Sequence, residues 1–250
     1  MKATIALCFL VLLAIADTEY NGESDKLEEL DIKNAIVELQ KKIRSQMADN
    51  VEALIWTRAF LATKQKIAYY GFESNLSEVL HKIRIAVNSM RDEGHEAEYC
   101  YDEALDELKR LQKDAKMKFA DCVNSCIQNF TVSLNATETF LNEGRAIITI
   151  INDVYDICTI LPAVNQTNCI FIHINKNRFR VAIFNKEYKL QPAYRTMLIN
   201  DTITDMFQCL RLRNDDGMAK LAEIESVNKL CLRGAKQLSV IEKDVDPTFT

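Results

Sequence analysis

Residues 99–130 read YCYDEALDELKRLQKDAKMKFADCVNSCIQNF, and the reading of this stretch decides the fold class. Leu105, Leu108, Leu111, Ala115 and Phe119 recur every three or four residues, the repeat of one helix face. Neither glycine nor proline interrupts the run. Glu103, Asp106 and Glu107 fall between the apolar positions and read as a solvated face. The expectation is one long amphipathic helix.

The same period extends outward. Over residues 27–43 the stripe is Ile32, Ile36, Leu39 and Ile43, with Met47 next. VEALIWTRAFLATKQKIAYY carries the pattern to Gly71, with Trp56 and the Tyr69-Tyr70 pair assigned to the core. SNLSEVLHKIRIAVNSM then predicts a fresh helix capped by Ser74 or Asn75, with Leu76, Leu80, Ile83 and Val87 facing inward. Gly94 should interrupt it. Downstream, residues 135–138 offer another start, and the helix that follows should stop at Pro162. Asp215-Asp216-Gly217 reads as a turn between the last two helical segments. Residues 169–184, CIFIHINKNRFRVAIF, suit either a hairpin about Asn175-Lys176-Asn177 or a helix; the helical surroundings favour the helix. The fold class expected is all-α, a disulfide-linked helical bundle.

The leader MKATIALCFLVLLAIA has a lysine, an apolar run and the small-residue pattern Ala14-Ile15-Ala16. It reads as a signal peptide over residues 1–16, cut after Ala16, and predicts secretion. The expected organisation continues with an N-terminal helical region (17–97), a cysteine-containing helical domain (98–243) and a frayed tail (244–250). No later stretch reaches a transmembrane length without a charge. The chain has 250 residues and a net charge of −5, with both signs interspersed. Such a balance argues against nucleic acid or an anionic membrane as the main partner, because both reward a concentrated basic patch.

Cys8 leaves with the leader, so seven cysteines remain: Cys100, Cys122, Cys126, Cys158, Cys169, Cys209 and Cys231. In an oxidising compartment they form disulfides, and the odd one is free or joins a second chain as a dimer. Connectivity stays open. Cys122 and Cys126 share one helix face and suit ties from one helix to two others. CxxxC late in a helix lacks the strand-to-helix setting of a redox CxxC, and zinc would need two further ligands. One regularity stands out: Cys100 to Cys122 and Cys209 to Cys231 are both 22 residues apart.

Five sequons, at Asn75, Asn129, Asn135, Asn165 and Asn200, predict N-glycosylation and solvent-facing asparagines. Asn129, three residues after Cys126, should mark a helix end or corner. The only histidines are His81, His95 and His173. The chain has no HExxH, no GxSxG elbow and neither of the glycine-rich phosphate-binding patterns. No catalytic, metal or cofactor-binding residues are assigned, and the protein is expected not to be an enzyme.

The leader, the long helices with scattered single cysteines, CVNSC followed by the sequon-bearing NFTVSLNAT, and the late cysteine in NKLCLRGA together resemble the TsetseEP domain family of insect secreted proteins. The resemblance covers roughly residues 98–236. It implies extracellular expression in insect gut or another secretory tissue and supplies no catalytic residues. The Glu-Pro repeat tail of the namesake is absent here. The function expected is that of a secreted, glycosylated helical protein with no assigned biochemical activity and a protein-interaction or surface/structural role, its partner a protein or an extracellular surface. The alternative is a carrier holding a small apolar ligand between helices, with Phe60, Phe119, Phe130 and Phe140 lining the space, although filling it as core is the commoner role for such residues; a hydrolytic enzyme ranks below both.

Overall fold

The structure, a computed structural model, describes residues 24–244 and consists there of four helices and no strand. They are α1 (Ser24–Asp92), α2 (Glu98–Thr159), α3 (Ala163–Tyr188) and α4 (Gln191–Asp244). The leader and residues 245–250 of the expected tail lie outside the described residues, as does the side chain of Ile32. The chain divides into two compact units. One joins the described residues up to Ala48 with Thr137–Gln191; the other joins Asp49–Ala136 with the described residues from Pro192 on. The boundary expected at residues 97 and 98 coincides with the turn between α1 and α2, inside the second unit.

In the second unit α1, α2 and α4 pack around one apolar core. Phe72, Leu76, Val79, Ile83 and Val87 are the buried stripe of α1. On α2 it is Cys100, Ala104, Leu108, Leu111, Ala115 and Phe119, and on α4 Met206, Leu210, Leu221 and Leu232. Steps of three and four keep each stripe on one face over many turns. The first two helices reverse at Gly94, whose φ of +84° is open to glycine without cost. The Gly94 and His95 amides donate to Arg91 and Met90 carbonyls, closing the end of α1. Against α2, α4 runs antiparallel, joined by Cys100–Cys231 and Cys122–Cys209. Relative to α1 it runs parallel: Asn75 meets Met218 and Glu93 meets Lys236.

The other unit uses the start of α1, the end of α2, and α3. Leu39, Ile43, Leu141, Ile147, Ile151 and Phe184 form its centre, with Phe140 stacked on Phe184 at 4.5 Å. Lys42 donates to Asn185 at 2.8 Å, and Arg180 pairs with Glu143 at 2.7 Å. Pro162 separates α2 from α3 as its chemistry dictates, since it has no amide hydrogen to continue the ladder. Gln166 donates to the free carbonyls of Thr159 and Leu161, and Cys158–Cys169 closes the bend.

Three expected breaks are absent. Ser74 and Asn75 do not cap a new helix, because α1 runs through them while its buried stripe continues from Phe72 to Leu76. Residues 135–138 start nothing: α2 is unbroken, with Leu134 buried before them and Phe140 after. Asp215-Asp216-Gly217 is interior helix in α4, and a Cβ on Gly217 would meet the Phe72 ring at 2.6 Å. This glycine makes room for a neighbour and does not turn the chain. Residues 169–184 are helical, within α3. Trp56 and Tyr70 are not core residues; they stand 50% and 64% exposed on the outer face of α1.

Candidate functional site

The disulfides limit which helices can move apart. The seven cysteines yield Cys100–Cys231, Cys122–Cys209 and Cys158–Cys169. The 22-residue regularity is thereby explained. Antiparallel helices with equal rise meet again after equal lengths of chain, so the two rungs sit about 33 Å apart on both α2 and α4. Twenty-two residues also make close to six whole turns, which returns the second rung to nearly the same face. Cys126 does not tie α2 to a further helix; it is the unpaired thiol and lies buried. Four residues past Cys122 on α2, it meets the level four residues before Cys209 on α4, which is Asp205. Burial and the Asp205 carboxylate both push its thiol pKa up. Such a thiol is neutral and unreactive in the native state.

All five sequon asparagines lie within helices. Asn129, Asn135, Asn165 and Asn200 are exposed, and Asn75 is half-buried beside Met218. Asn129 needs no corner, because three residues round the helix from Cys126 already carries it to water. Phe119, Phe130 and Phe140 fill the cores. Phe119 packs on Tyr69 and Phe72, Phe130 on Ala53 and Leu134, and Phe140 on Phe184. Phe60 stacks on exposed Trp56 at 5.2 Å, with the Lys64 ammonium 5.3 Å from its ring centre. His81 is exposed, and among the described residues no three His, Cys, Asp or Glu side chains gather to hold a metal ion.

Two open grooves mark the surface of the second unit. One, of about 650 Å³, runs between α2 and α4 over Ala104, Leu111, Ile224 and the Cys100–Cys231 bond. Most of its rim charges pair with one another. Arg110 meets Glu107 at 3.1 Å, and Asp114 meets Lys118 at 2.9 Å and Lys220 at 3.7 Å. The hydrogen bond from Lys118 holds the Asp114 carboxyl below its usual range. This groove is close to neutral.

The other groove, of about 630 Å³, lies between α1 and α2 and has a different character. From α2 come Lys109, Lys113 and Lys116, spaced i, i+4, i+7 and so aligned on one face. Across from them α1 supplies Lys66, Tyr69 and Tyr70. Tyr69 is half-buried, edge-on to Phe119 at 6.1 Å. Burial and the hydrogen bond to Glu73 push its phenol up to about 12, so it stays a donor. Gln112 donates to the same Glu73 at 2.9 Å, which occupies the one carboxylate on the groove lining. Lys109 pairs with Asp106 at 3.6 Å. Lys66, Lys113 and Lys116 form no ion pair among the described residues. Sequence reasoning missed this site: the α2 lysines were legible by spacing, but Lys66 and Tyr70 join them only through the α1–α2 hairpin.

Compared with protein-family models, curated proteins and solved structures, the chain matches none of them. Among the described residues no helix is long and apolar enough to cross a membrane.

Proposed function

We propose that this is a secreted, N-glycosylated helical protein that works by binding a partner at the extracellular surface and performs no catalysis. The observation that carries the reading is the disulfide framework. Three bonds join cysteines 131, 87 and 11 residues apart, and stable bonds of this kind belong to oxidising compartments. Four sequon asparagines on exposed helix positions support it. The resemblance to the TsetseEP family points the same way. Binding is favoured over chemistry because the α1–α2 groove offers charge, aromatic surface and amide donors, with its carboxylate already engaged.

The test is expression of the full sequence in a secreting eukaryotic cell, with intact mass and non-reducing peptide mapping of the medium. The expected product begins at Asp17, loses mass on amidase treatment at the sequons, and carries the three bonds above with Cys126 free. A protein retained inside the cell, unglycosylated and with reduced thiols, overturns the reading.

A further inference from the structure

We propose that the α1–α2 groove binds a short anionic stretch of a sulfated carbohydrate chain, the lysines meeting its sulfates and Tyr70 packing on a sugar face. This rests on the extracellular reading above, because sulfated glycans are met outside the cell, and it names the partner class of that same site.

The chemistry comes from what lines the groove. From Lys109 through Lys113 to Lys116 is seven steps along α2, about 10 Å on the axis. Lys66 adds a fourth ammonium from the opposite wall. Three of the four have no carboxylate partner, in a chain whose net charge is −5. Crowding like charges is unfavourable unless an anion comes to separate them. Tyr70 is 64% exposed and presents an aromatic face beside the Tyr69 ring, which is tilted to it with ring centres 6.5 Å apart.

Three features choose among polyanions. The exposed lysines run along an open groove between two helices, a line of charge that suits a linear chain. Its cations are lysines without an arginine, so they impose no bidentate geometry on the anion. Lysine is a point charge on a mobile stem, suited to sulfates at irregular spacing. No sequon lies within residues 65–73 or 109–116, so the chain's own glycans are not attached on this wall.

The experiment uses the full secreted protein and a heparin-type octasaccharide, titrated by calorimetry at two salt concentrations. Its desulfated counterpart, vesicles rich in phosphatidylserine, and a DNA duplex are titrated beside it. The expected result is binding to the sulfated oligosaccharide alone. The triple variant Lys66→Gln/Lys113→Gln/Lys116→Gln should weaken it at least about tenfold and flatten its salt dependence. Tyr70→Ala should weaken it with the salt dependence unchanged. Lys176→Gln/Lys186→Gln, on exposed lysines elsewhere, should leave it unaltered. Superimposable far-UV spectra and melting of the variants exclude misfolding. Absence of binding, equal binding to the vesicles or the duplex, or a triple variant that binds like the native protein overturns the proposal. These outcomes are read on purified protein, whereas secretion is read by mass and disulfide mapping, so the two readings fail separately.

Discussion

Replacing Gly217 with alanine sets two effects of opposite sign against each other. Alanine is the better helix former by about 1 kcal/mol, and Gly217 sits in the interior of α4 with no positive φ to protect. On propensity alone the substitution stabilises. The added Cβ, however, lies 2.6 Å from Cε2 of Phe72 and 3.2 Å from two further ring carbons. Phe72 is fully buried with Phe119 beside it, ring centres 6.2 Å apart, so the ring has little freedom to retreat. Overpacking of this kind costs about 1–3 kcal/mol. With so little room for the ring the collision outweighs the propensity gain, leaving Gly217→Ala less stable by up to about 2 kcal/mol. Gly71 is the matched control: it too is interior helix, with nothing within 4 Å of a Cβ. Gly71→Ala therefore gains about 0.5–1 kcal/mol. Urea unfolding with the disulfides intact, followed by far-UV circular dichroism, measures both. Phe72→Leu in the Gly217→Ala background should cost less than it does in the native chain, since the smaller side chain vacates the contested space. Gly217→Ala at or above native stability, with no coupling to residue 72, would refute the reasoning.

Three further outcomes follow from the packing. Removing the inner rung as Cys122→Ser/Cys209→Ser reopens the division of the 131-residue Cys100–Cys231 loop and should cost about 3–4 kcal/mol in urea unfolding; a loss under about 1 kcal/mol would contradict the ladder. Thr57 has a buried hydroxyl with no partner among the described residues, so the equally branched Thr57→Val should raise stability by about 1 kcal/mol, and a destabilised variant would mean that the hydroxyl is satisfied in solution. Cys126 and Tyr69 both hold their protons more tightly folded than unfolded. Their contribution is complete below the ordinary values of 9.0 and 10.0 and is lost as pH rises through the folded ones. Stability should fall above about pH 9, and Cys126→Ala should flatten the first part of that fall; an unchanged profile would show that the thiol does not contribute.

Helical identity was legible because the three- and four-residue apolar repeat is local. The ends at Gly94 and Pro162 were legible for an equally local reason, a positive φ in one case and a missing amide hydrogen in the other. The false ends came from residues whose meaning depends on tertiary contacts. Ser74 and Asn75 have capping chemistry, but the stripe from Phe72 to Leu76 keeps the helix buried across them. Gly217 has turn chemistry, but the Phe72 ring uses its missing side chain. Trp56 and Tyr70 looked like core because they are large and apolar; α1 simply presents more apolar surface than its partners cover. The candidate groove was half visible, since the lysines of α2 share a face while their counterparts on α1 lie a hairpin away.

The two rungs between α2 and α4 also change what a protease can do to this molecule. Peptide-bond cleavage anywhere between Cys122 and Cys209 produces two pieces that both rungs still hold together. A cut at the bend before Pro162 is bridged a third time by Cys158–Cys169. Such a nick leaves the mass unchanged but for one water, and the fragments part only when a reductant reaches the sulfurs. After a single cut in this stretch, separation of the two pieces is therefore a matter of thiol–disulfide chemistry and not of proteolysis.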